Sequence, residues 1–126
     1  MKNKILNIVV LTAGIDEEYQ QNIIRGINEY AVEKNINIFY FTAYGGVLGN
    51  SNYDKGEYNI FNLVNYGKFD GIIFMDNTIG ALDVRKKVSE QIKNSGIPAV
   101  VFDSEINPLF YNIKVDNFRA MEDIVN

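Results

Sequence analysis

Apolar residues gather along the chain in short blocks separated by polar and turn-forming stretches. Ile5–Leu11 (ILNIVVL), Ile36–Phe41 (INIFYF), Gly71–Met75 (GIIFM) and Ala99–Phe102 (AVVF) are nearly unbroken, and Tyr111–Val115 (YNIKV) is a weaker fifth. The first four are continuous rather than alternating, which suits strands buried on both faces of a parallel sheet.

The segments between these blocks carry helical spacing. After the first block, Tyr19, Ile23, Ile27 and Tyr30/Ala31 recur every three or four residues, with Asp16, Glu17 and Glu18 at the start and Lys34-Asn35 at the end. Acidic residues there favour the positive end of a helix dipole. After the third block, Ala81, Val84, Val88 and Ile92 form a second stripe that closes at Asn94-Ser95-Gly96. A third helical pattern begins at Asn117 and runs through Met121, Ile124 and Val125. Strands alternating with amphipathic helices predict βαβ units with right-handed crossovers. The second crossover is irregular. Residues 43–58 read AYGGVLGNSNYDKGEY, a loop far longer than the usual ~2–6 residues, leaving room only for a short helix over Tyr58–Asn65. The expectation is one α/β domain over residues 1–126, a three-layer, Rossmann-like sandwich with a parallel sheet of about five strands.

Composition narrows the chemistry. The 126 residues include neither cysteine nor histidine. That removes thiolate nucleophiles, cysteine-ligated metals, the commonest general base and any Ser-His-Asp triad. Carboxylates, lysines, tyrosines and backbone amides remain, which points to binding rather than to catalysis. The net charge of −4 gives no overall basic footprint for nucleic acid. No apolar run approaches the ~18 residues of a membrane span, and the seven-residue Ile5–Leu11 run reads as a strand rather than a signal peptide. The expectation is a soluble, cytoplasmic protein with no metal or cofactor.

Ligands of open parallel sheets bind outside the carboxyl ends of the strands. That rule selects the loops Thr12–Asp16, Thr42–Gly49, Asp76–Ile79, Asp103–Asn107 and Asp116–Asn117. Gly14 to Tyr19 offer backbone amides and an aromatic ring, although Asp16 also suits a helix N-cap and Tyr19 a core position. Neither a GxGxxG fingerprint nor a Walker A loop is present. Gly45 to Gly49 lack the Lys-Ser/Thr that completes a phosphate loop and read as a flexible segment, with Tyr44 at its base suited to stack on a ring. Asp76 and Asn77 offer acceptors and donors after the third strand, and Thr78 suits capping. Asp103, followed by Ser104, is the strongest single candidate, because a carboxylate at a strand end can accept two hydroxyl hydrogen bonds from a polyol. Asp76, Asp103 and Asp116 also make a weak magnesium set. The layout invites comparison with phosphoacceptor receiver domains, with Asp76 as acceptor. The acidic pair those domains need directly after the first strand is replaced here by Thr12-Ala13-Gly14.

Four stretches, in order, are NIVVLTAGIDEEYQQNIIRGINEYAVEKNINIFYF, KFDGIIFM, SGIPAVVFDSE and IKVDNFRAMEDIV. Together they resemble the amino-terminal half of the effector-binding domain of LacI/GalR-type bacterial regulators, itself similar to periplasmic sugar-binding proteins of type 1. The resemblance implies that Tyr19 and Gln20 line an effector pocket and that Asp103 bonds sugar hydroxyls. It further implies that Asp76 and Asn77 border the cleft, and that Asp116-Asn117 begin the helix leading to a second lobe. Where the family has an NPFF-like stretch, this chain has Glu17-Glu18-Tyr19-Gln20, and Ser104 stands where an arginine is frequent. The family's domain has two lobes and about twice this length, so the resemblance casts residues 1–126 as one lobe, cut at the crossover. The implied function is sensing of a small polar effector such as a sugar or nucleoside, without direct nucleic-acid or membrane contact, in a homodimer. Similar domains are fused to helix-turn-helix or GGDEF modules.

Overall fold

The computed structural model describes residues 5–14, 17–43, 58–102 and 110–113. The five apolar blocks are strands: β1 Asn7–Ala13, β2 Asn37–Ala43, β3 Gly71–Phe74, β4 Ala99–Phe102 and β5 Tyr111–Ile113. All pair in parallel, in the order β2-β1-β3-β4-β5. This is the α/β, Rossmann-like sheet that the pattern predicts. β1 and β2 run two residues further than their large apolar side chains suggest. The pairing Thr12↔Thr42 and Ala13↔Ala43 draws four small or polar residues into the ladder. β2 departs from the expectation of burial on both faces. It is an edge strand, and Phe39 is substantially exposed.

Helix α1, Glu18–Lys34, connects β1 to β2, and helix α2, Leu82–Ser95, connects β3 to β4. Each begins with an acid in its first turn and ends with a lysine in its last, matching the helix dipole. Asn35 closes α1 at φ 56°, where the Ile36 amide donates to Ala31 O at 2.8 Å, and Gly96 closes α2 at φ 72°. These are left-handed closures suited to Asn and Gly. The α1 N-cap position is Glu17, with no side-chain cap; the N-cap alternative for Asp16 falls on a residue outside the described ones. The short helix expected over Tyr58–Asn65 is instead two 3-10 segments, Tyr58–Leu63 and Tyr66–Lys68. Three asparagines and a glycine in this stretch disfavour α-helix, while Phe61, Val64 and Tyr66 anchor it to the core.

Alternation along the strands splits the apolar residues between two faces. On one, Val9, Leu11, Ile72, Phe74 and Val101 pack with Phe61, Val64, Val88 and Ile92 into the main core. On the other, the in-register row Tyr40, Val10, Ile73, Val100 and Tyr111 crosses the sheet beside α1. A leftward step from β1 to β2 and rightward steps thereafter put right-handed crossovers on opposite faces. Asp70 ties the sheet at its amino end: its Oδ2 accepts from the Asn7 amide at 2.8 Å, and its own amide donates to Asn7 O at 2.8 Å. Among the described residues no helix is long and apolar enough to cross a membrane.

Candidate functional site at the carboxyl ends of β1 and β3

The strand order reverses between β1 and β3. Connections leaving these two strands diverge to opposite faces and open a crevice between them, the usual ligand position in doubly wound sheets. β1 is followed by Gly14, whose φ of 62° is a conformation that side chains rarely adopt. Its amide donates to Ala43 O, and its carbonyl accepts from the Glu17 amide, both at 2.9 Å. The chain thereby turns from β1 into α1 and brings Tyr19 and Gln20 over the strand end.

From the β3 side, Asp76–Thr78 form one 3-10 turn. Thr78 is its anchor. The hydroxyl donates to Met75 O at 2.6 Å and accepts from the Ala13 amide at 3.0 Å. Thr12 Oγ1 lies 3.4 Å from it. Gln20 Nε2 donates to Ala13 O at 3.1 Å. Thr12, Gln20 and Thr78 are all buried. They satisfy the backbone where β1 runs past the end of its β3 partner, as buried N–H and C=O groups require. Tyr19 and Asn77 stand nearer the rim: both are half-buried, and Asn77 Nδ2 donates to the Tyr19 hydroxyl at 3.2 Å. This hydrogen bond spans the crevice. Asn77 Oδ1 is buried with no hydrogen-bond partner among the described residues.

Asp76 is fully buried, with Arg85 Nη2 of α2 3.8 Å from its Oδ2. Among the described residues no three acidic side chains come together as a metal site.

No protein-family model matches the chain, and no curated protein matches it significantly.

The structure thus brings together five of the sequence-derived candidates: Gly14, Tyr19, Gln20, Asp76 and Asn77. Asp16, Tyr44, Asp103, Ser104 and Asp116 lie outside the described residues. The five that meet do different jobs. Gly14 makes the turn, Gln20 and Asp76 are buried in the scaffold, and the half-buried Tyr19 and Asn77 bring a hydroxyl and an amide to the crevice. Sequence reasoning missed Arg85 and the bridging role of Thr78. Arg85 was detectable, because it falls on the stripe Ala81, Arg85, Val88, Ile92 at i, i+4, i+7 and i+11, where a cation needs an anion.

Proposed function

We propose that this chain is the ligand-binding lobe of a bacterial regulatory or signalling protein working in the cytoplasm, similar to the amino-terminal lobe of LacI/GalR-type effector domains. Its role is to hold a small polar molecule such as a sugar or nucleoside, not to turn it over. The observation that carries this reading is the Tyr19–Asn77 hydrogen bond across the β1/β3 crevice. Two half-buried side chains, an aromatic one from the first turn of α1 and an amide from the 3-10 turn after β3, meet where a doubly wound sheet takes its ligand. A hydroxylated ligand would exchange hydrogen bonds with this pair and use the ring of Tyr19 as a platform. Closure of a second lobe over the crevice would couple binding to output, in proportion to the ligand's preference for the closed state.

The receiver alternative has the burial of Asp76 against it. A phosphoacceptor carboxylate must meet its phosphodonor at the surface, and this one is 0% exposed with a guanidinium beside it.

The test is amide NMR of the chain titrated with monosaccharides, nucleosides and amino acids at millimolar concentration. The expected result is a saturable shift confined to residues 13–20 and 75–79, weakened at least fivefold in Asn77→Ala and Tyr19→Phe. Absence of shifts with all three classes overturns the reading, as does phosphoryl labelling of Asp76 by acetyl phosphate with magnesium.

A further inference from the structure

The open edge of the sheet carries a second feature, independent of the ligand reading. Strand β2 bonds β1 along one side: the Asn37 amide donates to Leu6 O and the Gly14 amide to Ala43 O, both at 2.9 Å. Bonds to β1 therefore fall to Asn37, Phe39, Phe41 and Ala43, and the residues between them, Ile38, Tyr40 and Thr42, direct their own N–H and C=O groups away from β1. Among the described residues no strand pairs with that outer side. Natural sheets guard such edges with lysines, prolines or bulges. β2 reads NIFYFTA, without a charge or a proline, and its register with β1 is unbroken. Apolar surface collects at the same edge. Phe39 is 45% exposed, with its ring set edge-on to that of Phe69 at 5.5 Å. On α1, Asn28 accepts from the Tyr40 hydroxyl, which turns the helix row Arg25, Asn28 and Val32 towards this edge. Val32 is 84% exposed.

We propose that this edge takes a second copy of the chain, β2 against β2 in antiparallel pairing about a two-fold axis at Tyr40. The strand is self-complementary in that register. The axis sets Tyr40 opposite the partner's Tyr40 and Ile38 opposite the partner's Thr42, so every outward donor and acceptor meets its complement in three pairs of two bonds each. Phe39 falls opposite the partner's Phe41 in the closer, non-hydrogen-bonded positions, where aromatic pairs stabilise a sheet. With no charge on the strand, no like charges meet across its axis. Asn28 lies beside that axis, so Arg25 and Val32, about one turn to either side of it, fall opposite each other on the two copies of α1. The arginine's aliphatic stem then covers the exposed valine. The contact uses roughly a dozen residues a side, about half of a standard interface, which sets dissociation in the micromolar rather than the nanomolar range.

Sedimentation velocity of the unmodified chain, from low micromolar to several hundred micromolar at physiological salt, reads the association directly. The mass is expected to rise from 14.3 kDa towards twice that value. A monomer throughout overturns the proposal, whatever else covers the edge. Position 32 then tests the register, because its exposure leaves the fold indifferent to substitution, as an unchanged Tm at low micromolar protein would confirm. Val32→Lys sets a cation against the partner's Arg25 and is expected to weaken the dimer several-fold. Val32→Glu sets an anion there and is expected to tighten it. High salt shrinks both effects, and Arg25→Glu combined with Val32→Lys restores the dimer. A dimer that ignores both single substitutions, or that both shift in the same direction, has another interface and overturns the proposal. Should the position-32 variants change Tm, Phe39→Lys places on the strand the kind of charge that guards natural edges. Loss of the dimer supports the pairing, and an unchanged dimer overturns it.

Discussion

Replacing Thr78 with valine removes one hydroxyl and almost no volume, which isolates the polar joint between β1 and β3. In the native chain that oxygen accepts from the Ala13 amide at 3.0 Å and donates to Met75 O at 2.6 Å, and both Thr78 and Ala13 are buried. Met75 O keeps a second donor, the Thr78 amide at 3.0 Å, so the carbonyl loses little. The Ala13 amide loses its partner where water cannot replace it, which costs about 1–3 kcal/mol. With an unfolding entropy near 2.1 cal/mol/K per residue, a loss of about 2 kcal/mol lowers the Tm of a 126-residue chain by about 8 °C. Thr78→Ser is the control. It keeps the hydroxyl and loses a buried methyl, about 1 kcal/mol or about 4 °C. Thermal and urea unfolding followed by circular dichroism measure both, with an unchanged urea slope confirming that the same surface is exposed. The ranking is the sharp part. Hydrophobic burial alone makes valine the better replacement; the hydrogen-bond account makes it the worse one. A valine variant as stable as the serine variant refutes the role given to this hydroxyl.

Other perturbations test the rest of the framework. Phe61→Ala empties a fully buried site at the heart of the main core and is expected to cost about 3–5 kcal/mol, seen as a large drop in the urea midpoint. Asn35 sits at φ 56°, so Asn35→Ala should lose about 1 kcal/mol while Asn35→Gly should not; paired urea titrations distinguish them. Burial pushes the Tyr66 phenol up to about 12. Between pH ~10 and ~12 the unfolded chain therefore releases this proton first, and stability falls with rising pH by up to about 3 kcal/mol, with no effect below pH ~10. In Tyr66→Phe, Tm measured from pH 8 to 12 should lose that part of its slope.

Much of the sheet was legible because a parallel sheet needs apolar side chains on both faces, and the five apolar blocks announce it. What was not legible came from pairing. Thr12 and Ala13 are weak strand signals, and they extend β1 because Thr42, Ala43 and Thr78 wait beside them. The loop length leaves room for a short helix over Tyr58–Asn65, but Asn59, Asn62 and Asn65 make α-helix costly, and with the chain in 3-10 turns Phe61, Val64 and Tyr66 still reach the core. The site was legible in its location and only partly in its roles. The strand-end rule selected the loops of Gly14 and Asn77, but polar residue types cannot reveal which ones the scaffold consumes. Gln20 looks like a ligand contact by resemblance, yet its amide nitrogen bonds Ala13 O. Thr78 looks like a cap, yet it bridges two strands' ends.

This division of labour constrains any ligand. At the β1/β3 crevice the backbone of Ala13 demands two hydrogen bonds that neighbouring strands do not supply, and Gln20 and Thr78 supply them from within. Those residues are buried, so they determine where the crevice walls stand rather than what the crevice accepts. Tyr19 and Asn77 can contribute to both, since they are half-buried and bond each other across the gap. Substitutions in the buried set should therefore change stability first and affinity only through displaced walls. Substitutions at Tyr19 and Asn77 should change affinity at nearly constant stability. A chain in which Thr78→Val and Asn77→Ala affected Tm and ligand affinity in the same proportion would have no such division, and the crevice would be structural throughout.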